Sequence, residues 1–177
     1  LVIASKLREK NFHLAEKAKK IKLVLTDNDG VLTDTGVYYS DQGEMLKRFS
    51  IRDGMGVERL RNIANIETGI ITGELSGSVK KRADKLKIKE LFLGAKDKHL
   101  LLDEILKRNN ISSENVAFIG DDVNDIELIR LVGLSASPSD AMLDVRNIVD
   151  YVCEDKGGHG AFREFAELII ALRSDNN

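Results

Sequence analysis

Apolar positions along the chain fall into two alternating patterns: short continuous runs, and longer stretches with a helical period. Over residues 5–20, Leu7, Phe12, Leu14, Ala15 and Ala18 stand among lysines and glutamates, the spacing of an amphipathic leading helix. Ile21–Thr26 is a compact apolar run ending in Asp27-Asn28-Asp29-Gly30, which predicts a buried strand running into a loop. Val37–Ser40 and Leu46–Ile51 flank Asp41-Gln42-Gly43, the pattern of a β-hairpin. Beyond it, helices over Gly56–Ala64, Gly77–Leu86, Lys98–Asn109 and Asn124–Leu131 alternate with strands over Glu67–Thr72, Glu90–Leu93 and Asn115–Ile119. Leu134–Ala136, a short helix near Ala141–Asn147 and Tyr151–Val152 follow, and Ala161–Arg173 predicts a last helix.

Strands alternating with helices of this length predict an α/β fold, a Rossmann-like parallel sheet with helices on both faces and a hairpin inserted after the first strand. The 177 residues read as one domain: a leading helix (1–20), the hairpin (34–52), and a tail with the last helix (154–177). In such sheets ligands bind beyond the carboxyl ends of the strands. Three predicted strands end there in polar clusters, Asp27-Asn28-Asp29, Thr72-Gly73-Glu74 and Gly120-Asp121-Asp122. That convergence marks the candidate site.

Composition narrows the field without changing it. Hydrophobic residues make up 42% and charged residues 32%, and a formal net charge of −2 gives no electrostatic hold on nucleic acid. The single cysteine, Cys153, excludes a disulfide within the chain and suits a reducing compartment. No apolar run approaches the roughly 20 residues that span a bilayer. Leu1–Ala4 is too short for the apolar region of a signal peptide, so the expectation is a cytoplasmic protein without a membrane partner. A start at leucine suggests native residues upstream.

Asp27 and Asp29 crowd one strand end, with Gly30 allowing a sharp turn behind them, and Asp121, Asp122 and Asp125 approach from another. Carboxylates gathered in this way repel one another and invite a neutralising cation; an oxygen-only set without a histidine cluster favours magnesium over zinc. An EF-hand does not fit, because its sixth position requires glycine and here holds Leu32. The phosphate loop Gly-x-x-x-x-Gly-Lys-Ser/Thr and the fingerprint Gly-x-Gly-x-x-Gly are both absent. The plainer alternative is that these acids only cap helices and turns.

Asp27-Asn28-Asp29-Gly30-Val31-Leu32-Thr33 resembles the first motif of the haloacid dehalogenase superfamily, Asp-x-Asp-Gly-x-x-Thr/Ser. Ile71-Thr72-Gly73 resembles its second motif, Lys98 its third and Gly120-Asp121-Asp122-Val123-Asn124-Asp125 its fourth. The four stand in register across residues 22 to 125, which makes the resemblance specific. It implies a magnesium-dependent phosphatase in which Asp27 attacks phosphorus and Asp29 exchanges a proton with the leaving oxygen. Thr72 and Lys98 would hold the phosphoryl oxygens. Magnesium would sit on the Asp27 carboxylate, the Asp29 backbone carbonyl and Asp121, with Asp125 orienting that set.

The stretch between the first and second motifs leaves no room for a folded cap. The chain from Ile21 to about Leu172 resembles the capless branch that dephosphorylates sugar acids, with its hairpin, Arg52-Asp53-Gly54, and the tail Gly157-Gly158-His159-Gly160-Ala161-Phe162-Arg163-Glu164. That branch implies a homotetramer in which hairpin and tail shape the entrance across subunits, and a small sugar-acid phosphate as substrate. Arg163 is a candidate for the substrate carboxylate, or else a first-turn helix residue paired with an acid. Glu74, with Arg82 and Lys85 on the following helix, resembles the nonulosonate 9-phosphate enzymes, whereas Phe49-Ser50-Ile51-Arg52-Asp53-Gly54 resembles the octulosonate 8-phosphate group. Glu74 tilts the reading slightly toward a nonulosonate. Alternatives are a broad-specificity sugar phosphatase and a catalytically idle oligomerisation module, the latter opposed by the retention of Asp27, Asp29, Lys98 and Asp121.

Overall fold

The computed structural model describes residues 2–174. Leu1 and residues 175–177, which the sequence reading includes in the leading helix region and the tail, lie outside the described residues. Strand β1 (Leu23–Thr26) occupies the middle of a six-stranded sheet and pairs in parallel with β4 (Glu67–Ile71) on one side and β6 (Val116–Ile119) on the other. Strand β5 (Glu90–Phe92) extends the sheet beyond β4, while β7 (Leu134–Ser137) and β8 (Tyr151–Val152) extend it beyond β6. Every pairing in this sheet is parallel. The chain builds one half, then crosses over β1 to build the other, so the switch point falls at the carboxyl end of β1.

Both faces are covered, which explains why β1 reads as a continuous apolar run rather than an alternation. Val24, Ile70, Ala117 and Leu134 face a core shared with α2 (Ala15–Lys20), α3 (Ile51–Ala64), α4 (Gly77–Leu86) and α8 (Ala161–Arg173). Leu23, Leu25, Ile71 and Phe118 face the opposite core with α5 (Leu102–Asn109), α6 (Ile126–Leu131) and α7 (Leu143–Arg146). Among the described residues, only the hairpin and α3 lie between β1 and β4, and no folded cap is inserted there. No helix among them is long and apolar enough to cross a membrane.

Several elements differ in extent from the sequence pattern. The leading helix is broken: α1 (Val2–Lys10) ends at Asn11, whose side-chain amide donates to the Leu7 carbonyl, and a 3-10 turn over Phe12–Leu14 precedes α2. The hairpin strands run over Thr33–Ser40 (β2) and Gly43–Phe49 (β3), so the predicted second strand ends before Ile51. Helix α3 claims those residues, starting five positions ahead of the predicted Gly56, because the Ser50 side chain caps the Arg52 and Asp53 amides. Gly54 and Gly56 weaken helix propensity by about 1 kcal/mol each, which hides this start in the sequence. Tertiary packing overrides that cost, since a Cβ on Gly56 would come within 3.1 Å of the Arg163 Cα on α8. The predicted helices at Lys98 and Asn124 both open with 3-10 turns, Lys98–Leu101 and Val123–Asp125.

The hairpin forms its own two-stranded sheet over the carboxyl end of the main one. Its Glu44 carboxylate accepts hydrogen bonds from the Ser76 and Ser78 hydroxyls at the start of α4, at 2.6 and 3.1 Å. Tyr38, Tyr39, Met45 and Leu46 remain exposed.

Candidate active site

The register of the central strands assembles the site. Thr26 is level with Ile70 and Ile119, so the residues just past these ends, Asp27, Thr72 and Asp121, project into one region. The Asp27 amide continues the ladder by donating to the Ile119 carbonyl at 3.0 Å. The chain then turns tightly, with the Asn28 carbonyl accepting from the amides of Leu32 and Thr33, and with Gly30 at a φ of +85°. Glycine is required there twice over, by that backbone conformation and by Asp121, whose Oδ2 would lie 1.9 Å from an added Cβ. The Asp-x-Asp loop and the Asp121 carboxylate are thus packed directly together.

Lys98, which opens a 3-10 turn, is the largest fully buried side chain among the described residues. Its ammonium lies 2.8 Å from Asp27 Oδ1 and 2.7 Å from Asp125 Oδ1. Burial by itself would lower the Lys98 pKa, but Asp27 and Asp125 outweigh it and hold the group charged. Asp125 Oδ2 accepts the Asp121 and Asp122 amides at 2.9 and 3.4 Å. Both oxygens of Asp125 are therefore engaged in holding Lys98 and the loop. On Asp27, Lys98 (2.8 Å) and the Asn28 amide (2.6 Å) both contact Oδ1 rather than Oδ2.

Burial and then the neighbouring Asp125 push the Asp27 carboxyl up to about 7, with Lys98 opposing them. Asp121 is pushed to about 8 by burial and by Asp27, Asp125 and Asp122. One lysine does not neutralise this set, so a divalent cation fits the residues present. Carboxylate oxygens of Asp27, Asp121 and Asp125 lie within 4.8 Å of one another, and an all-oxygen donor set suits a hard ion.

Asp29 has an asymmetric environment. Its Oδ1 receives the Lys47 ammonium at 2.7 Å, the Asn28 amide nitrogen at 3.1 Å and the Thr33 hydroxyl at 3.5 Å, while Oδ2 is buried without a partner. Lys47 comes from the hairpin, with a side chain only 1% exposed, and also pairs with Glu44 at 3.4 Å. Burial disfavours its charge, but Asp29 and Glu44 more than offset this and raise its pKa. Lys47 belongs to none of the four motifs; its sole signal in the sequence is a lysine on a strand that folds back over the Asp-x-Asp loop.

Asp27, Asp29, Thr72, Glu74, Asp121 and Asn124 line a cavity of about 230 Å³, which Thr35 also borders. Thr35 has a φ of +65°, a strained position for a β-branched residue at the base of the hairpin. The buried Thr72 hydroxyl accepts the Glu74 amide at 3.2 Å, and Glu74 itself is exposed at the rim. The other candidate substrate residues lie elsewhere within one chain. Arg82 donates to the Ser50 carbonyl at 2.8 Å and stacks on Phe49. Arg163 pairs with Glu167 at 2.7 Å, and Lys85 is exposed on α4. Arg52 and Arg163 border a separate, larger cleft of about 490 Å³ beside Leu7 and Glu154. Cys153 is buried, and burial pushes its thiol up, away from nucleophilic use.

The tail closes the back of the site. A Cβ on Gly157 would lie 1.8 Å from the Gly30 carbonyl oxygen, and the Gly158 amide donates to the Val31 carbonyl at 2.8 Å. Arg48 links tail and hairpin, pairing with Asp34 at 2.6 Å and donating to the Gly158 carbonyl at 3.0 Å and to the His159 ring. The arrangement offers a carboxylate held through one oxygen, a second carboxylate lining the same cavity, and two buried lysine ammoniums among the acids. These are the parts of a phosphoryl-transfer centre.

Comparison with known proteins agrees with that chemistry. The family described as haloacid dehalogenase-like hydrolase matches residues 59–164. A 3-deoxy-D-manno-octulosonate 8-phosphate phosphatase of Haemophilus influenzae is 38% identical over 164 residues, 93% of this chain and 91% of that one. The crystal structure of the enzyme of that name from Yersinia pestis superposes with a TM-score of 0.87 at 38% identity, covering 90% of this chain and 86% of that one. A Moraxella catarrhalis phosphatase of the same name, solved with magnesium ion, phosphate ion and a KDO molecule, gives a TM-score of 0.87 at 35% identity, with 91% and 92% covered.

Proposed function

The chain belongs to the haloacid dehalogenase-like hydrolases and is a phosphoric monoester hydrolase, and from that premise we propose that it cleaves the phosphate ester of a 2-keto-3-deoxy sugar acid through an aspartyl phosphate on Asp27. The observation that carries the reading is the pairing at the cavity floor. Asp27 has one oxygen held by Lys98 and the Asn28 amide, and Asp29, held through Oδ1 by Lys47, lines the same cavity. Asp27 Oδ2 attacks phosphorus, the bond to the sugar oxygen breaks, and the Asp29 carboxyl gives that oxygen its proton. In the second step Asp29 takes a proton from water as the water attacks phosphorus, which frees Asp27. Thr72 and Lys98 hold the phosphoryl oxygens in place. Magnesium would be held by Asp27, the Asp29 backbone carbonyl and Asp121, with Asp125 fixing the loop. When bound it neutralises the crowded carboxylates and polarises a phosphoryl oxygen.

A cavity of about 230 Å³ takes the phosphate and the nearest carbons, so the remainder of a sugar acid extends past Glu74. Without a cap, water is excluded by neighbouring subunits, and we read the protein as a homotetramer acting in the cytoplasm as one catalytic domain. In that assembly the exposed Arg52 and Lys85 meet substrate in a neighbouring subunit's site, while Arg82 and Arg163 shape it through their internal partners. Octulosonate 8-phosphate is the substrate named for the relatives. A nonulosonate 9-phosphate is the second reading, favoured by Glu74: an exposed carboxylate at the rim suits a polyhydroxyl chain better than another carboxylate. Magnesium-dependent phosphate release from both sugar acids and from hexose phosphates tests the proposal. Marked preference for one sugar acid is expected; equal rates on hexose phosphates would indicate a broad phosphatase instead.

A further inference from the structure

Lys47 is a buried ammonium that the reaction as written does not use. It sits on β3, outside the four motif segments, and reaches the site only because the hairpin folds over the Asp-x-Asp loop. Three donors, Lys47 Nζ, Asn28 Nδ2 and Thr33 Oγ1, converge on Asp29 Oδ1. Nothing donates to Oδ2. Contacts confined to one oxygen, the strongest from a charged donor, fix the orientation of the carboxyl. We propose that Lys47 is a positioning residue that holds the Asp29 carboxyl by Oδ1 in one orientation for its proton exchange with the leaving oxygen.

The support behind Lys47 is continuous. Glu44 Oε2 lies 3.4 Å from its ammonium, and Glu44 Oε1 is held by the hydroxyls of Ser76 and Ser78. A chain of polar contacts therefore runs from the start of α4, two residues past Glu74, through the hairpin to the proton-carrying residue. The positive charge also faces Asp29 as the carboxylate forms on proton donation, stabilising that stage at short range. Glu44 balances the lysine, so the buried charge is paired on both sides.

The inference rests on Asp29 being the proton donor, and a leaving-group comparison separates the two. Departure of p-nitrophenolate needs no proton, whereas departure of a sugar alkoxide does. The experiment measures single-turnover release of the alcohol by Lys47→Met, Lys47→Arg and Asp29→Asn in the full chain, with a sugar-acid phosphate and with p-nitrophenyl phosphate. Lys47→Met is expected to slow the sugar ester about 10²-fold and to leave the nitrophenyl ester nearly unchanged, with Lys47→Arg recovering part of the loss. Glu44→Gln, a milder change, should move the same ratio in the same direction. Equal slowing on both esters, or none on the sugar ester, would overturn the role of Lys47. If Asp29→Asn itself fails to discriminate between the esters, the assignment of Asp29 falls, and the inference with it.

Discussion

Lys98 shows how much of the site depends on one side chain. Its ammonium is the counter-charge shared by Asp27 and Asp125, and it is fully enclosed. Lys98→Met is expected to abolish phosphate release and to lower unfolding free energy by about 3 kcal/mol in metal-free buffer, since it strands buried carboxylates. Chemical denaturation checks the second effect, and unchanged stability would mean that the acids rearrange freely. Asp27, Asp29, Thr72 and Asp121 were legible in the sequence because each follows an apolar run within three residues, so strand and site share one local pattern. Lys47 was not legible. Its burial is made by a fold-back over a loop 18 residues earlier, and on an otherwise exposed hairpin it looks like any surface lysine.

Among the elements, α3 and α8 were only half legible, and their junction is where propensity and packing disagree. Asp53, in the first turn of α3, accepts the Arg163 amide at 2.9 Å and so caps α8 from outside its own helix. It is 1% exposed, its Oδ2 has no partner, and burial pushes its carboxyl up to about 6, against the hydrogen bonds from the Arg163 and Gly160 amides and Ser50. The folded state then holds this proton more tightly than the unfolded chain. Stability is lost as pH rises from about 4 to about 6, and no more is lost above that. Asp53→Asn cannot ionise yet still accepts the amides. Relative to wild type it should gain on the order of 2–3 kcal/mol between pH 4 and pH 7, measured by denaturation at both values. Parallel curves would show that Asp53 does not titrate in this way. The early start of α3 has its own cap, the Ser50 side chain, and Gly54 and Gly56 hide it from a reading by helix propensity.

For the molecule as a whole, the switch point of the sheet and the crowding of acids at its carboxyl edge were readable from alternation alone, whereas the substrate-facing surface was not. Arg52, Arg82, Lys85 and Arg163 lie outside one chain's catalytic cavity, and the hairpin leaves Tyr38, Tyr39, Met45 and Leu46 exposed. Assembly through that apolar surface predicts a tetramer by light scattering, and Tyr38→Glu with Leu46→Glu should dissociate it and depress turnover of sugar-acid phosphates. A wild-type monomer with full activity would contradict that. What the assembled molecule does, on this account, is pass a phosphoryl group through Asp27. The most direct test is to mix enzyme, magnesium and a sugar-acid phosphate, quench in acid within the first turnover, and search the peptides by mass spectrometry. A phosphoryl adduct is expected on the peptide carrying Asp27 and is expected to be absent from Asp27→Asn, which should release no phosphate. Substantial phosphate release by Asp27→Asn would contradict it.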